Sequence, residues 1–337
     1  MATSQHKSEL EATARHLVRE GKGILAADES NGTIKKRFDS VGVKSTVASR
    51  RAYRDLLFST KGMEAFISGV ILFKETIRQA DQNDTPFPEV LAQKGVRPGV
   101  LTGIKVDKGA KALAGFPGEK ITEGLDGLRD RLAEYRELGA VFAKWRAVII
   151  IGAGIPTSFC MEENAHALAL YAALSQEAGL VPIVEPEVLM DGDHTIARCE
   201  EVTSATLQRV FAELAAHRVH LEGMLLKPNM VISGKGCPEQ ASVEEVAEAT
   251  LRCFRRFVPS AVPGIVFLSG GQRPEQATEH LRAMNALEKH PWELSFSYGR
   301  ALQQDALKEW KGEAANVPAA QRKFLKWARA NSEARNG

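Results

Sequence analysis

The chain is poor in cysteine. Its 337 residues hold four, Cys160, Cys199, Cys237 and Cys253, with no CxxC pair among them, so no dense disulfide framework is expected and reduced thiols in a cytoplasmic setting are. Neither sign of charge dominates: 44 Lys and Arg stand against 42 Asp and Glu, which leaves no general field for nucleic acid or a membrane surface. No apolar stretch approaches membrane-spanning length, and the N-terminus lacks an apolar signal core, reading instead as an amphipathic helix over residues 1–23. No low-complexity tract or long linker divides the chain, so residues 1–337 are expected to form one domain. The eight histidines show no metal-ligand spacing; His217 and His220 share a helix face and His194 follows Asp-Gly-Asp, and no metal is expected. IGAGIPTS (151–158) places Gly152 and Gly154 after a strand but lacks the third glycine of a dinucleotide fingerprint, so no organic cofactor is expected either.

What the sequence has is rhythm. Eight short apolar runs, at 23–27, 69–73, 101–106, 141–151, 180–188, 223–227, 264–269 and 293–297, each lead through a loop into a helical pattern. The helical segments include 124–138, 161–178, 195–218 and 243–257. Eight strand–helix alternations in a chain of this size predict an α/β fold, a closed (β/α)8 TIM barrel with additional terminal helices.

The charged residues within those runs keep the strand's period of two. Lys105 and Asp107, Lys144 and Arg146, and Glu185 and Glu187 are spaced to share a face, and Asp28, Lys227, Ser269 and Ser297 stand at the tips of other strands. In a barrel they converge on one mouth, where strand C-termini carry active sites. Lys227, in GMLLKPNMV (223–231), is the most telling of them. Burial disfavours an ammonium; lowering a lysine pKa from about 10.4 to near 7 costs about 4 to 5 kcal/mol but yields an amine able to attack a carbonyl. Read alone, the same lysine also fits a buried salt bridge that holds the strand. The surplus of cations, with Arg37 and Arg300 in nearby loops, predicts an anionic substrate. FLSGGQRP (267–274) adds a glycine pair, Gly270 and Gly271, before a helix start, an arrangement able to cradle a phosphate.

On LAADES (25–30), GVILFKET (69–76), GIKVDKG (103–109), FAKWR (142–146), PIVEPE (182–187), LLKPNMV (225–231), FLSGGQ (267–272) and SFSYGRAL (295–302), the chain closely resembles class I fructose-bisphosphate aldolase, the metal-independent, Schiff-base-forming family. The resemblance spans residues 23–302 and implies a (β/α)8 barrel, a homotetramer, and reversible cleavage of fructose 1,6-bisphosphate into dihydroxyacetone phosphate and glyceraldehyde 3-phosphate. It implies Lys227 as the imine-forming lysine, Glu185 and Glu187 as acid/base partners, Asp28 as the group handling the C4 hydroxyl proton, and Lys144 as their electrostatic companion. Ser269, Gly270 and Arg300 resemble the site for the phosphate next to the ketone, and Arg37, Lys105 and Arg146 contacts to the distal phosphate or nearby hydroxyls; Gly271, Ser297 and Gly299 are expected among the substrate- and phosphate-binding residues. Repulsion between the paired glutamates is expected to raise one pKa enough to make that residue a proton donor. Many members also end in a tyrosine that assists proton exchange, whereas the last tyrosine here is Tyr298. That step is expected to fall to another group, or the chain is a shortened one.

Three rival readings remain at this level. A zinc-dependent aldolase needs several placed ligands, usually histidines, that the spacing does not supply. Transaldolase-like transfer shares the imine but not the need for cations around two phosphates. A non-catalytic binding protein on the same scaffold has no use for the charged strand tips.

Overall fold

The structure, a computed structural model, describes residues 4–92 and 99–337. The expected N-terminal helix and the 1–337 domain therefore include residues 1–3 and 93–98, which lie outside the described ones. Eight strands close into a barrel: β1 (Gly23–Ala27), β2 (Ile67–Leu72), β3 (Leu101–Lys105), β4 (Phe142–Ile149), β5 (Val181–Val188), β6 (Leu225–Leu226), β7 (Gly264–Phe267) and β8 (Glu293–Tyr298). They run in the order β1-β2-β3-β4-β5-β6-β7-β8 and back to β1, every pairing parallel. This is the (β/α)8 barrel expected from the alternation, with a short antiparallel hairpin, Ala110–Ala112 with Lys120–Thr122, inserted after β3.

Each strand sorts its side chains by parity. Even-numbered residues of β4, Phe142, Lys144, Arg146 and Val148, face the barrel axis, while Ala143, Trp145, Ala147 and Ile149 join the core beneath the helices. The inward set changes character along the axis. Its lower layers are apolar, with Ile24, Ile71, Phe142, Val181, Ile183, Leu225 and Val266 in one cluster; its upper layer is charged. The helix Ser4–Leu17 closes the bottom, placing Leu10, Ala14 and Leu17, with Val18 just beyond, in that cluster. Glycine low in the strands makes room for it: a Cβ on Gly264 would lie 2.5 Å from Val18, and one on Gly69 2.7 Å from Leu17.

The helices sit close to their expected positions. Val243–Phe257 matches the expected limits and is fixed by a capping box, in which Ser242 N–H donates to Glu245 (2.7 Å) and Glu245 N–H to the Ser242 hydroxyl (3.2 Å). The segment expected over 124–138 begins only at Leu128, because Gly127 holds a left-handed φ of 66° at its N-cap. β6 is two residues long rather than five, since Leu221–Gly223 forms a 3₁₀ turn, yet Lys227 N–H still donates to Val184 O (2.8 Å) and extends the ladder to that lysine. Helices Arg300–Trp310 and Val317–Glu333 supply the terminal additions.

Candidate active site

A cleft of about 1030 Å³ opens at the C-terminal ends of the strands. It brings together Asp28, Arg37, Lys105, Lys144, Arg146, Glu185, Glu187, Lys227, Ser269, Gly270, Ser297, Gly299 and Arg300. Gly271 alone of the expected residues does not line it. It faces an adjoining pocket of about 240 Å³, but a Cβ there would stand 2.8 Å from the Arg300 guanidinium, so it forms the wall behind that side chain.

The floor of the cleft is a chain of buried ion pairs. Lys144 Nζ lies 2.9 Å from Asp28 Oδ2 and 2.6 Å from Glu185 Oε2, and the other oxygen of Glu185 is 3.3 Å from Lys227 Nζ. Two carboxylates thus hold two ammonium positions, and the protein sets them apart. Burial pushes the Lys227 amine below its usual pKa, and the Lys144 charge adds to this against the opposing pull of Glu185. Burial acts on Lys144 in the same sense, but Asp28 and Glu185 outweigh it and raise its pKa, keeping it charged. Asp28 and Glu185 are in turn held below the ordinary carboxylate range, because Lys144 and Lys227 overcome the effect of burial.

The two glutamates do not face each other as a repelling pair. Glu185 is drawn down by its lysines, and Glu187 forms an ion pair with Arg146. The elevation expected for one of the pair is therefore not met at Glu185: each carboxylate has its own cation. Lys105 pairs with Asp107 (2.6 Å), which also accepts from Gly109 N–H (3.0 Å) and so fixes the start of the β3 loop.

Opposite the ion pairs lies a surface of donors. Gly270 and Gly271 adopt φ of 58° and 101°, turning the backbone after β7 as only glycine does without strain. Ser297 Oγ is buried and has no hydrogen-bond partner among the described residues. Gly299 is the N-cap of helix Arg300–Trp310 and has no side chain to cap it, leaving the first-turn amides of that helix beside the Arg300 side chain. Burial lowers the Arg300 pKa below the usual arginine range, although the group stays cationic at neutral pH. These features make an anion cradle.

Sequence reasoning passed over a support behind the cleft. Glu29, buried beside Asp28, forms ion pairs with Arg37 and with Arg54 (2.5 Å), and Gln303 Nε2 donates to Ala26 O (2.7 Å) and Glu29 Oε1 (3.2 Å). The only local signal was a second acid in LAADES; Arg37 lies eight positions on, but Arg54 and Gln303 lie 25 and 274 positions away. Nor does His217 meet His220 as the shared face suggested. The helix Ile196–Ala216 ends before it, and His217 instead meets His166 and Glu213, while His220 turns to Glu11 and Glu222.

A family model for "Fructose-bisphosphate aldolase class-I" matches residues 9–337. The chain is 58% identical over 330 residues to a "Probable fructose-bisphosphate aldolase class 1" of Xanthomonas campestris pv. campestris, covering 98% of each chain. It is 54% identical over 336 residues to "Fructose-bisphosphate aldolase 6, cytosolic" of Arabidopsis thaliana, covering 99% of this chain and 92% of that one. A solved fructose-bisphosphate aldolase of Plasmodium falciparum, crystallised with TRAP and a small-molecule inhibitor, superposes with a TM-score of 0.97 at 48% identity, covering 99% of this chain and 96% of the other.

Proposed function

The chain belongs to the class I fructose-bisphosphate aldolase family and is a carbon–carbon lyase cleaving fructose 1,6-bisphosphate reversibly through a lysine Schiff base, and we propose that its own residues divide that work as follows. Lys227 is the nucleophile. Glu185 accepts the proton of its ammonium across 3.3 Å, and the neutral amine attacks C2 of the open-chain sugar. Glu187 and Glu185 move protons to and from the resulting carbinolamine hydroxyl, which leaves as water and gives the iminium. Asp28 then takes the C4 hydroxyl proton; the C3–C4 bond breaks, the aldehyde departs, and the electron pair passes into the iminium as an enamine. Protonation at C3 and hydrolysis release dihydroxyacetone phosphate and restore Lys227.

Lys144 holds Asp28 and Glu185 ionised until each accepts its proton and compensates charge as protons move. The phosphate next to the ketone is assigned to Ser269, the Gly270 and Gly271 backbone, Ser297, Gly299 and Arg300, and the distal phosphate or its neighbouring hydroxyls to Arg37, Lys105 and Arg146. Cations on both sides of the lysine support a preference for a bisphosphate. A cytoplasmic homotetramer of one-domain subunits completes the reading. Four buried free cysteines suit a reducing compartment, and light scattering tests the assembly.

The observation that carries the proposal is the burial of Lys227 at 3.3 Å from Glu185, with Lys144 holding the charge on the other side. Reduction with borohydride in the presence of dihydroxyacetone phosphate, followed by peptide mapping, is expected to label Lys227. Labelling at a different lysine, or wild-type turnover in Lys227→Met, overturns it.

A further inference from the structure

We propose a divalent-metal site on the outside of the barrel, formed by His166, Glu213 and His217 and suited to a borderline cation of the zinc class. His166 lies on the helix Ser158–Glu177; Glu213 lies on Ile196–Ala216, and His217 caps its end, the two helices packing side by side over β4 and β5. One donor atom from each residue lies within 4.8 Å of the other two. Two donors held about 2.0–2.1 Å from a tetrahedral ion stand roughly 3.3 Å apart. The separations from Glu213 Oε2, 3.0 Å to His166 Nδ1 and 3.6 Å to His217 Nδ1, straddle that value.

The donor set is two imidazoles and one carboxylate, which favours zinc and its neighbours over calcium or magnesium. The side chain of His166 is 55% exposed, so an ion has a route in and water can complete its coordination. Glu213 is not committed to a competing cation. Arg209, one turn earlier on the same helix, is turned to Ser158 Oγ (3.2 Å) and Glu162 (3.6 Å), and the ion partners of Glu213 are the two histidines themselves. The rings of His166 and His217, with centroids 4.9 Å apart at 68°, already converge from the two helices. His217 Nδ1 also lies 2.9 Å from the Glu213 carbonyl oxygen, a hydrogen bond that this nitrogen gives up when it takes the ion.

The site stands apart from the chemistry. The helix after β5 runs back toward the strand N-termini, so the end capped by His217 lies on the closed side of the barrel. A bound ion would tie two neighbouring helices together without touching the cleft.

The test is a Zn²⁺ titration of the chelator-treated full chain by calorimetry, with Co²⁺ absorption as a second readout of coordination. One ion per chain is expected, with visible Co²⁺ bands of tetrahedral intensity. His166→Ala and Glu213→Gln should each weaken Zn²⁺ binding at least tenfold and abolish the bands, while aldol cleavage remains unchanged. His220→Gln, a change in a histidine paired elsewhere, should leave binding within twofold. Absence of stoichiometric binding below about 1 mM Zn²⁺, or loss of less than tenfold in either of the first two variants, overturns the site.

Discussion

Nζ of Lys144 stands 2.6 Å from Oε2 of Glu185, and the two buried lysines of the cleft are shifted in opposite directions, Lys144 up in pKa and Lys227 down. The lysine enclosed by Asp28 and Glu185 keeps its proton. The other, Lys227, shares only one oxygen of Glu185 at 3.3 Å and feels the charge of its neighbour.

Lys144→Met removes a cation that, with burial, lowers the Lys227 pKa, and leaves Asp28 and Glu185 with Lys227 alone. Lys227 then becomes a tightly held ammonium. The rate of borohydride-trappable imine formation should fall about 100-fold to 10,000-fold, the range of one positioned proton-transfer group, and stability should drop by about 3 to 5 kcal/mol for the broken buried pair. Trapping at the wild-type rate would place the charge elsewhere.

The pH dependence of trapping has a definite sign. Only the free amine attacks, so the rate rises with pH through the Lys227 pKa, which burial lowers from the ordinary lysine value. Single-turnover trapping should level off below the ordinary lysine value near 10.4. A rate still climbing past that point contradicts the assignment.

Gly271→Ala puts a Cβ 2.8 Å from the Arg300 guanidinium at a φ of 101°, where an L side chain is strained by about 1 to 3 kcal/mol. The donor wall for the phosphate near the ketone should shift, while the ion pairs around Lys227 stay. Steady-state kinetics should show KM for fructose 1,6-bisphosphate raised about tenfold or more with kcat changed much less. An unchanged KM would remove this loop from the binding site.

Gly264→Ala tests the bottom of the barrel. Its Cβ would come within 2.5 Å of Val18, and overpacking of this kind costs about 1 to 3 kcal/mol. Denaturant midpoints should fall while kcat at 25 °C is kept, since the cleft lies at the opposite ends of the strands.

His280 is buried with Nδ1 2.6 Å from Gln272 Oε1, and burial lowers its pKa to about 4. Between that value and the unfolded value near 6.5, the unfolded chain binds the extra proton, so stability rises with pH across the window and is lost on acidification through it. The group contributes a swing of about 3 kcal/mol. In His280→Gln, denaturation followed at pH 4.5 to 7 should show a shallower slope; an unaltered slope assigns the acid sensitivity to other groups.

Much of this was legible in the chain because the strand period is short and local. Lys144 and Arg146, or Glu185 and Glu187, lie two positions apart, and that spacing alone fixes a shared face. Pairing across the barrel is not local: Arg146 lies in register with Glu185 yet its side chain pairs with Glu187, while Glu185 is taken by Lys144 and Lys227, so the elevation expected within the glutamate pair is not met at Glu185. The helix Val47–Phe58 escaped notice for a related reason. It buries Arg54 and Asp55 among its apolar residues, which blurs the periodic signal. The divergence of His217 from His220 turns on Arg218, whose φ of 55° redirects the chain immediately after the helix.

The helix Ser4–Leu17 gives the barrel a floor, and a vessel with a floor has one doorway. Substrate and both fragments must use the same opening, so traffic is queued rather than through-flowing.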